Sequence, residues 1–214
     1  MRRYIVNSVS AFLIIGLGIA YYYATENNLV NPFLFPKVSA IIKAFSKNQD
    51  IMLLNLLSSL GMMIPSILIS LILALTVGII LGRNALLRDI LHPILYIFSV
   101  VPSILLSPFV LLLAPNFWVA SVFLITYSTV WSTMFATITG IMTIDKRYLD
   151  KAATLELKGF KKITKVILPA ASPSILSGFV NSLRNTFVML VYAEMYGSRY
   201  GMGFFVKKYT DFSL

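Results

Sequence analysis

Long apolar blocks separated by short polar passages dominate this chain. Asp, Glu, Lys and Arg are absent between Ile51 and Gly82, and again between Ile90 and Ile144. A membrane-spanning helix needs about 20 mostly apolar residues, so the second block is long enough for two helices, with a break at Ala114–Asn116. The pattern predicts one all-α, polytopic membrane domain over residues 1–214 with about five spans. These spans are residues 4–24, 62–81, 90–113, 117–142 and 174–193.

The first apolar block favours a retained helix over a cleaved leader. It is longer than the apolar core of a signal peptide, and no A-x-A cleavage pattern follows it. Tyr21, Tyr22 and Tyr23 suit the aromatic belt at a membrane boundary. We therefore expect this helix to stay in the protein with its N-terminus inside.

The composition supports placement in a membrane. Of the 214 residues, 58% are hydrophobic and 12% are charged, whereas a soluble domain carries about 25% charged residues. The absence of cysteine excludes disulfides and Cys-based metal sites. A net charge of +10 would suit a nucleic-acid partner, but in a membrane protein it indicates basic cytoplasmic loops. We expect the lipid bilayer, and no nucleic acid, as a partner.

The distribution of basic residues predicts the orientation. With the N-terminus inside, eleven of the 18 Lys and Arg residues fall on cytoplasmic segments and six on outer ones. Cytoplasmic loops carry the excess of Lys and Arg in most membrane proteins. The counts favour a cytoplasmic N-terminus and an external C-terminus.

The lysine-rich passage "YLDKAATLELKGFKKITKVILPAASPS", at Tyr148–Ser174, lies in the predicted cytoplasmic loop over residues 143–173. Apolar residues after Gly159 recur at helical spacing opposite the lysines, which is typical of an amphipathic surface helix. Gly159 permits a bend, and we expect Pro169 to stop the second helix. The first helix would present a face floored by Ala152 and Ala153. A plain basic juxtamembrane loop is the alternative.

This passage resembles the "EAA" loop in the permease subunits of binding-protein-dependent ABC importers. The likeness rests on Asp150, on the alanine pair, on a following glycine and on Ile167–Pro169. Further segments stand in the order of the nitrate, sulfonate and taurine branch, which includes relatives for thiamine precursors. They are Phe33–Phe45, Leu56–Asp89, Val100–Leu113 and Ala193–Val206.

The resemblance implies a type I permease fold in which this loop is a coupling helix seated on an ATPase. The family glycine position falls on Leu157, with Gly159 two residues further on, and the distance to Pro169 is one residue shorter than usual. The family also has one more span after the "GMGFF" region, which this sequence, ending at Leu214, does not contain. The implied coupling residues are Asp150, Lys151, Ala152, Ala153, Leu157, Gly159, Leu168 and Pro169.

The resemblance also implies the partners. They are a cytoplasmic ABC ATPase dimer, a second permease subunit in a homodimer, and an extracytoplasmic solute-binding protein at a bacterial inner membrane. The sequence has no G-x-x-x-x-G-K-[ST] phosphate loop, so we expect ATP and Mg²⁺ on the ATPase and no enzyme activity, cofactor or metal site on this chain. The implied solute is a small anion such as a sulfonate or nitrate, or a thiamine-precursor-like molecule. A secondary transporter or fragment, and a non-transporting scaffold, are the alternatives.

Arg184 is the one charged residue inside a predicted span. A charge there is costly unless it faces a cavity or a partner, so we expect it either to line an anion pathway with Asn181 or to pair with a neighbouring helix. Prolines in the third span free backbone groups and predict a gate or a kink. The candidate pathway residues are Pro102, Ser103, Ser107, Asn181 and Arg184.

Three other features of the spans have simpler interpretations. Glu194 is expected to be an interfacial carboxylate rather than a proton relay. Trp131 needs no special role. A face of small residues in the fourth span predicts helix packing, within the chain or between subunits. Its members are Ser128, Thr129, Ser132, Thr133, Ala136 and Thr137.

Overall fold

A computed structural model describes residues 2–211, with the backbone alone for Arg2, Arg3 and Ile5. Every regular element in this range is helical, and the chain is an all-α polytopic membrane protein, as predicted. The chain divides into two compact units, Met1–Leu53 and Leu54–Leu214. The features discussed below lie in the second unit.

The helices follow the apolar blocks. Four helices in the described range are long and apolar enough to cross a membrane, and a bent pair of shorter helices makes a fifth candidate. The elements are α1 (Arg2–Glu26), α2 (Val38–Arg83), α3 (Ala85–Val100), α4 (Ser103–Leu113), α5 (Phe117–Met142), α6 (Lys146–Thr154), α7 (Gly159–Lys162), a π-turn (Ile163–Ile167), α8 (Leu168–Gly197) and α9 (Met202–Asp211).

Short polar residues set the start of three helices. The Asn84 side chain accepts a hydrogen bond from the Leu87 N–H at 3.1 Å, and Asn116 accepts one from Val119 at 2.9 Å. Asp145 caps α6 in the same manner. A capped N–H would otherwise be one of the unpaired donors of a helix end. The break between the two helices at Ala114–Asn116 therefore lies where the sequence predicts it.

The region predicted as a third span, 90–113, consists of two helices bent by 87°. Val101 is extended, with φ −70° and ψ 116°, because the ring of Pro102 disfavours the helical conformation of the residue before it. Pro102 is itself extended and precedes α4. The bend is thus a local consequence of one proline.

Helices α5 and α8 pack closely against each other in the second unit. The Thr133 and Ser182 hydroxyls share a 2.7 Å hydrogen bond, and a Cβ added to Gly178 would lie 2.3 Å from the Ala136 Cβ. Small residues let backbones approach closely where no hydrophobic effect drives association. The predicted small-residue face packs within the chain: all its members contact α8 except Thr137, which meets Gly78 of α2.

Pro169 does not stop the helix that begins at Gly159, contrary to the expectation from sequence. The helix continues from Gly159 to Gly197. At the π-turn the Leu168 N–H bonds the Ile163 carbonyl, five residues back, and Pro169 follows in the first turn of α8. The wider π-type bonding directly before Pro169 lets the helix continue although this residue has no N–H to donate.

Candidate functional site

A pocket of about 580 Å³ lies where α6, the π-turn and the start of α8 meet. Its walls are mainly apolar, with a lysine from α6 and one from the π-turn at its edge. We name it the α6 pocket. Its lining residues are Tyr148, Lys151, Ala152, Leu155, Leu157, Lys165, Val166, Pro169, Ala170 and Pro173.

The chain reversal after α6 builds one side of this pocket. Glu156 has a left-handed backbone with φ 50°. Its N–H bonds the Ala153 carbonyl, and the Leu157 N–H bonds the Ala152 carbonyl, each at 2.9 Å. This pair of bonds is the Schellman arrangement, which brings the residue after the reversal against the last turn of the helix. Leu157 and Ala152 accordingly line the pocket together.

The α6 pocket brings together only part of the predicted coupling set. Ala152 is 1% exposed and lies in the pocket wall. Lys151, Leu157 and Pro169 share that lining. The other predicted residues do not line it. They are Asp150, Ala153, Gly159 and Leu168, of which the first three are exposed and Leu168 is partly buried.

A surface ion pair fixes the start of α6. Arg147 donates to Asp145 from its side chain, with a shortest distance of 2.6 Å, and its backbone N–H donates to the same carboxylate at 2.9 Å. These bonds hold the pKa of Asp145 below its ordinary value and raise the pKa of Arg147. The charged form of Asp145 is therefore the one that caps the helix.

A second cavity, of about 470 Å³, lies beside the bend between α3 and α4. Its polar side chains come from α3, α4, α5 and α8. We name it the bend cavity. Its lining residues are Tyr96, Ser99, Val100, Val101, Pro102, Ser103, Ile104, Tyr127, Ser128, Trp131, Ser132, Phe135 and Asn185.

Polar contacts hold the bend in place. The Tyr127 hydroxyl donates to the Phe98 carbonyl at the end of α3. On the other side of the bend, the Ser103 hydroxyl contacts Met189 Sδ at 3.3 Å. The bend is thus fixed by α5 on one side and by α8 on the other.

The candidate pathway residues occupy three different places. Pro102 and Ser103 line the bend cavity. Arg184 and Asn181 are exposed on α8, and Arg184 makes no hydrogen bond or ion pair with any residue in the described range. Ser107 is 7% exposed and donates to the carbonyl one turn earlier in α4, outside the cavity lining.

Side chains from α2 hold the start of α9. Asn55 Oδ1 accepts from the Gly201 N–H at 2.7 Å, and Ser59 Oγ accepts from the Met202 N–H at 2.9 Å. Both side chains are 4% exposed. Helix-terminal N–H groups that are buried need such partners.

Glu194 completes what we name the α9 cap, which consists of Asn55, Ser59 and Glu194. Its Oε2 accepts from the Gly203 N–H at 2.7 Å, and the residue is fully buried. A Cβ on Gly201 would lie 2.4 Å from the Glu194 Cδ, so the glycine makes room for the carboxylate. The structure encloses this carboxylate in protein, where the sequence favoured an interfacial one.

Sequence reasoning missed several of these residues. It assigned Ser128 and Ser132 to packing and gave Trp131 no role, yet all three line the bend cavity. Pro102 and Ser103, which the sequence offered as part of a gate or a kink, were the local signal for the cavity. Nothing in the sequence links Asn55 to Gly201.

Comparison with known proteins decides the family. The model of the binding-protein-dependent transport system inner membrane component matches residues 74–210. This chain belongs to that family. The matched residues include the whole lining of the α6 pocket and of the bend cavity and, from the α9 cap, Glu194.

Individual members of the inner membrane component family are similar to this chain. A protein of Bacillus subtilis named for aliphatic sulfonate transport is 33% identical over 141 residues, which are 66% of this chain and 51% of that permease. The nitrate import permease of Leptolyngbya laminosa is 26% identical over 211 residues, 96% of this chain and 75% of that protein. A bicarbonate transport system permease of Synechococcus elongatus is 29% identical over 139 residues, 64% and 50% respectively.

The aligned region thus spans about half the length of the Bacillus and Synechococcus relatives.

Proposed function

We propose that this chain is the transmembrane permease subunit of an ABC importer for a small oxyanion. In this proposal it lies in a bacterial inner membrane with a cytoplasmic N-terminus. It works as a dimer with a second permease subunit, with an ATPase dimer that hydrolyses ATP, and with an external solute-binding protein.

The observation that carries this proposal is one continuous helix with a functional feature in each half. The helix from Gly159 to Gly197 contributes Lys165 and Pro169 to the α6 pocket and carries Arg184 on its exposed face. At about 1.5 Å per residue it is roughly 58 Å long. A rigid element of this kind can transmit a movement of the pocket to the region of Arg184.

The α6 pocket has the chemistry of a docking site for another protein. Ala152 leaves space within its wall, Leu155 and Leu157 make it apolar, and Lys151 and Lys165 place positive charge at its edge. An apolar side chain flanked by acidic residues would complement this surface. We assign that partner to the ATPase.

The anion specificity is supported by Arg184 and by the names of the relatives. Those names refer to aliphatic sulfonates, nitrate and bicarbonate, each of which is an oxyanion. An unpaired arginine within a membrane span is costly unless it faces water, a cavity or a partner. The proposal places the exposed face with Asn181 and Arg184 along the pathway between two subunits.

The coupling part can be tested by filling the α6 pocket. Ala170→Trp would place an indole in the lining, whereas Thr154→Trp adds the same group to an exposed position of α6 outside it. We expect the first variant to abolish co-purification with a co-expressed ABC ATPase that the unmodified chain binds, and to abolish uptake. The second should retain both. Equal association and uptake for the two variants would disprove the coupling role of the pocket.

The pathway part can be tested separately. We expect Arg184→Gln to lower anion uptake by reconstituted transporter at least tenfold, while Arg184→Lys retains most of it, because the charge is kept. Arg199→Gln removes a charge from an exposed residue beyond the end of α8 and serves as the control. If the Arg184 and Arg199 variants behave alike, Arg184 is not part of the pathway.

A further inference from the structure

Two neighbouring cavities of the second unit have no role in the function proposed above. The first, of about 490 Å³, lies between the start of α3 and the end of α5, and we name it the head pocket. Its lining residues are Arg88, Asp89, His92, Pro93, Ile138, Thr139 and Met142. The second, also of about 490 Å³, lies between α2, α3 and α5, and we name it the apolar groove. Its lining residues are Ile69, Leu73, Val77, Leu95, Phe98, Val119, Val122, Phe123, Thr126, Tyr127, Val130, Trp131 and Met134.

The head pocket and the apolar groove follow one another along the same two helices. On α3, His92 of the head pocket stands three residues before Leu95 of the groove. On α5, Ile138 of the head pocket stands four residues after Met134 of the groove. Residues three or four apart are neighbours on one helix face. The two cavities therefore form one elongated site with a charged end and an apolar end.

The charged end lies at a membrane boundary. The ends of α2 and α5 meet there, since a Cβ added to Gly82 would lie 2.8 Å from the Ile141 Cβ. The first charges after the apolar blocks of α2 and α5 are Arg83 and Asp145. The site thus begins at the end of the bundle from which α6 continues.

The Arg88 guanidinium has donors that the described residues do not use. Its side chain is 20% exposed, and its ion pair joins Nε to the Asp89 Oδ1 at 3.7 Å, which is too long for a hydrogen bond. A guanidinium carries five N–H donors in a planar fork that matches the oxygens of a phosphate. A largely enclosed guanidinium of this kind favours a phosphate as its partner.

Asp89 selects among the headgroups that carry a phosphate. Its side chain is 73% exposed, and its carboxylate makes no hydrogen bond with the described part of the chain. A headgroup with negative charge alone would bring that charge close to this carboxylate, and like charges repel. An ammonium group on the same headgroup would instead pair with Asp89 while the phosphate pairs with Arg88. A primary ammonium supplies three N–H donors for this contact.

The apolar groove suits a lipid acyl chain. It contains no charged side chain, and the hydroxyls of Thr126 and Tyr127 bond backbone carbonyls of α2 and α3. Its lining extends along α5 for roughly 22 Å, which exceeds the depth of about 15 Å that one leaflet contributes to the hydrocarbon core. Ile69, Leu73 and Phe123 are exposed, so the groove is open toward the bilayer.

We propose that the head pocket and the apolar groove together bind one phospholipid with a primary ammonium headgroup, of the phosphatidylethanolamine class. Arg88 bonds the phosphate, Asp89 bonds the ammonium group, and one acyl chain lies in the groove. The lipid fills the space between the start of α3 and the end of α5. This site is separate from the α6 pocket and from Arg184.

A series of lipids tests the headgroup without any change to the protein. The full chain, purified in detergent, would be titrated with phosphatidylethanolamine, phosphatidylcholine and phosphatidylglycerol that carry identical acyl chains, and native mass spectrometry would count the bound lipids. Phosphatidylcholine keeps both charges but has no N–H donor, and phosphatidylglycerol lacks the ammonium group. We expect the first phosphatidylethanolamine to bind at least tenfold more tightly than either of the others, the effect of one hydrogen bond to a charged group.

Variants locate the binding at this site. Arg88→Gln should weaken binding of the first phosphatidylethanolamine about tenfold, and Asp89→Asn should remove most of the preference over phosphatidylcholine. Arg83→Gln removes an exposed charge outside the head pocket and should leave binding unchanged. Leu73→Trp should obstruct the groove and weaken binding of all three lipids. Ile72→Trp, at an exposed position outside the lining, is its control and should not.

Four results would overturn this inference. Tighter binding of phosphatidylglycerol would make the site one for anionic lipid, and equal affinity for the three lipids would leave only a boundary contact without headgroup recognition. Equal effects of the Arg88 and Arg83 variants would place the headgroup elsewhere. Equal binding by the Leu73 and Ile72 variants would mean that no acyl chain occupies the groove, as when another helix covers it.

Discussion

Removing the Glu194 carboxylate should release the start of α9. In the Glu194→Ala variant the buried Gly203 N–H loses its acceptor at 2.7 Å. This N–H has no water to turn to, since Glu194 is fully buried and Gly203 is buried. The perturbation therefore acts on one hydrogen-bonding group and on one charge near a helix N-terminus.

The size of the effect follows from these contacts. A hydrogen bond to a charged acceptor contributes about 1.5–3 kcal/mol, and a negative charge at a helix N-terminus adds about 0.3–1 kcal/mol. Glu194→Ala should lower the stability of the α9 attachment by about 2–4 kcal/mol. Glu194→Gln keeps an acceptor and loses the charge, so it should cost about 1 kcal/mol, because charge-assisted bonds are roughly twice as strong as neutral ones.

Hydrogen–deuterium exchange in nanodiscs measures this directly, because the amides of Gly201, Met202 and Gly203 are the bonded donors. Their protection should fall by about 30- to 1000-fold in Glu194→Ala, which is the predicted free energy expressed as an opening constant. Ser59→Ala should expose the Met202 amide. Ser58→Ala, one residue away and without a side-chain hydrogen bond in the described structure, is the matched control.

Unchanged protection at residues 201–203 in Glu194→Ala would refute the reasoning. So would equal effects of the Ser58 and Ser59 variants. In either case the bonds of the α9 cap would not determine the stability of the α9 start.

Three further predictions concern the contact of α5 with α8 and the start of α6. In a double-mutant cycle, Thr133→Val and Ser182→Ala should couple by about 0.6 kcal/mol and by no more than about 1.7; additive unfolding energies would contradict a shared bond. Gly178→Val should cost about 1–3 kcal/mol, whereas Gly61→Val, with open space around it, should cost far less, as measured by thermal unfolding in detergent. The bonds from Arg147 that lower the Asp145 pKa stabilise α6 fully at a pH above the ordinary Asp pKa of about 4, and this stability is lost as the pH falls through the lowered pKa. Hydrogen exchange of the α6 amides should show this loss at low pH, and Asp145→Asn should abolish the pH dependence.

Local rules predict most of the helices. The apolar blocks are long enough to span a bilayer, and Asn84, Asn116 and Asp145 each stand where a helix begins. The position of α5 was predicted to the residue, because a proline and a capping asparagine precede it and charges follow it. The small side chain of Ala152 likewise predicted that another group can approach α6 closely there, and the structure places Ala152 in the wall of the α6 pocket.

Such local rules do not predict the α9 cap or the bend cavity. Asn55 and Gly201 are separated by 146 positions, and a polar residue within an apolar block gives no sign of its partner. Ser128 and Ser132, which line the bend cavity, share α5 with Thr129 and Thr133, which bond α8 in the helix packing. Only the bend at Pro102, which brings α3 and α4 to one place beside α5, separates the two groups.

The continuity of the helix through Pro169 was missed for a different reason. A proline usually ends a helix when the surrounding hydrogen bonds are of the α type. The π-turn before it changes those bonds, and no sequence pattern in Ile163–Ile167 indicates a π-turn in advance.

The π-turn also determines the angle at which the α6 pocket opens. A π-turn accommodates one residue more than regular α-helix, and each residue of an α-helix corresponds to about 100° of rotation. Deleting one residue from Ile163–Ile167 would restore the regular helix and rotate α7, with the α6 segment before it, by about 100° around the axis of α8. The position of α6 around α8 therefore depends on a single residue of helix length, and so does the pocket that α6 forms against Pro169, Ala170 and Pro173.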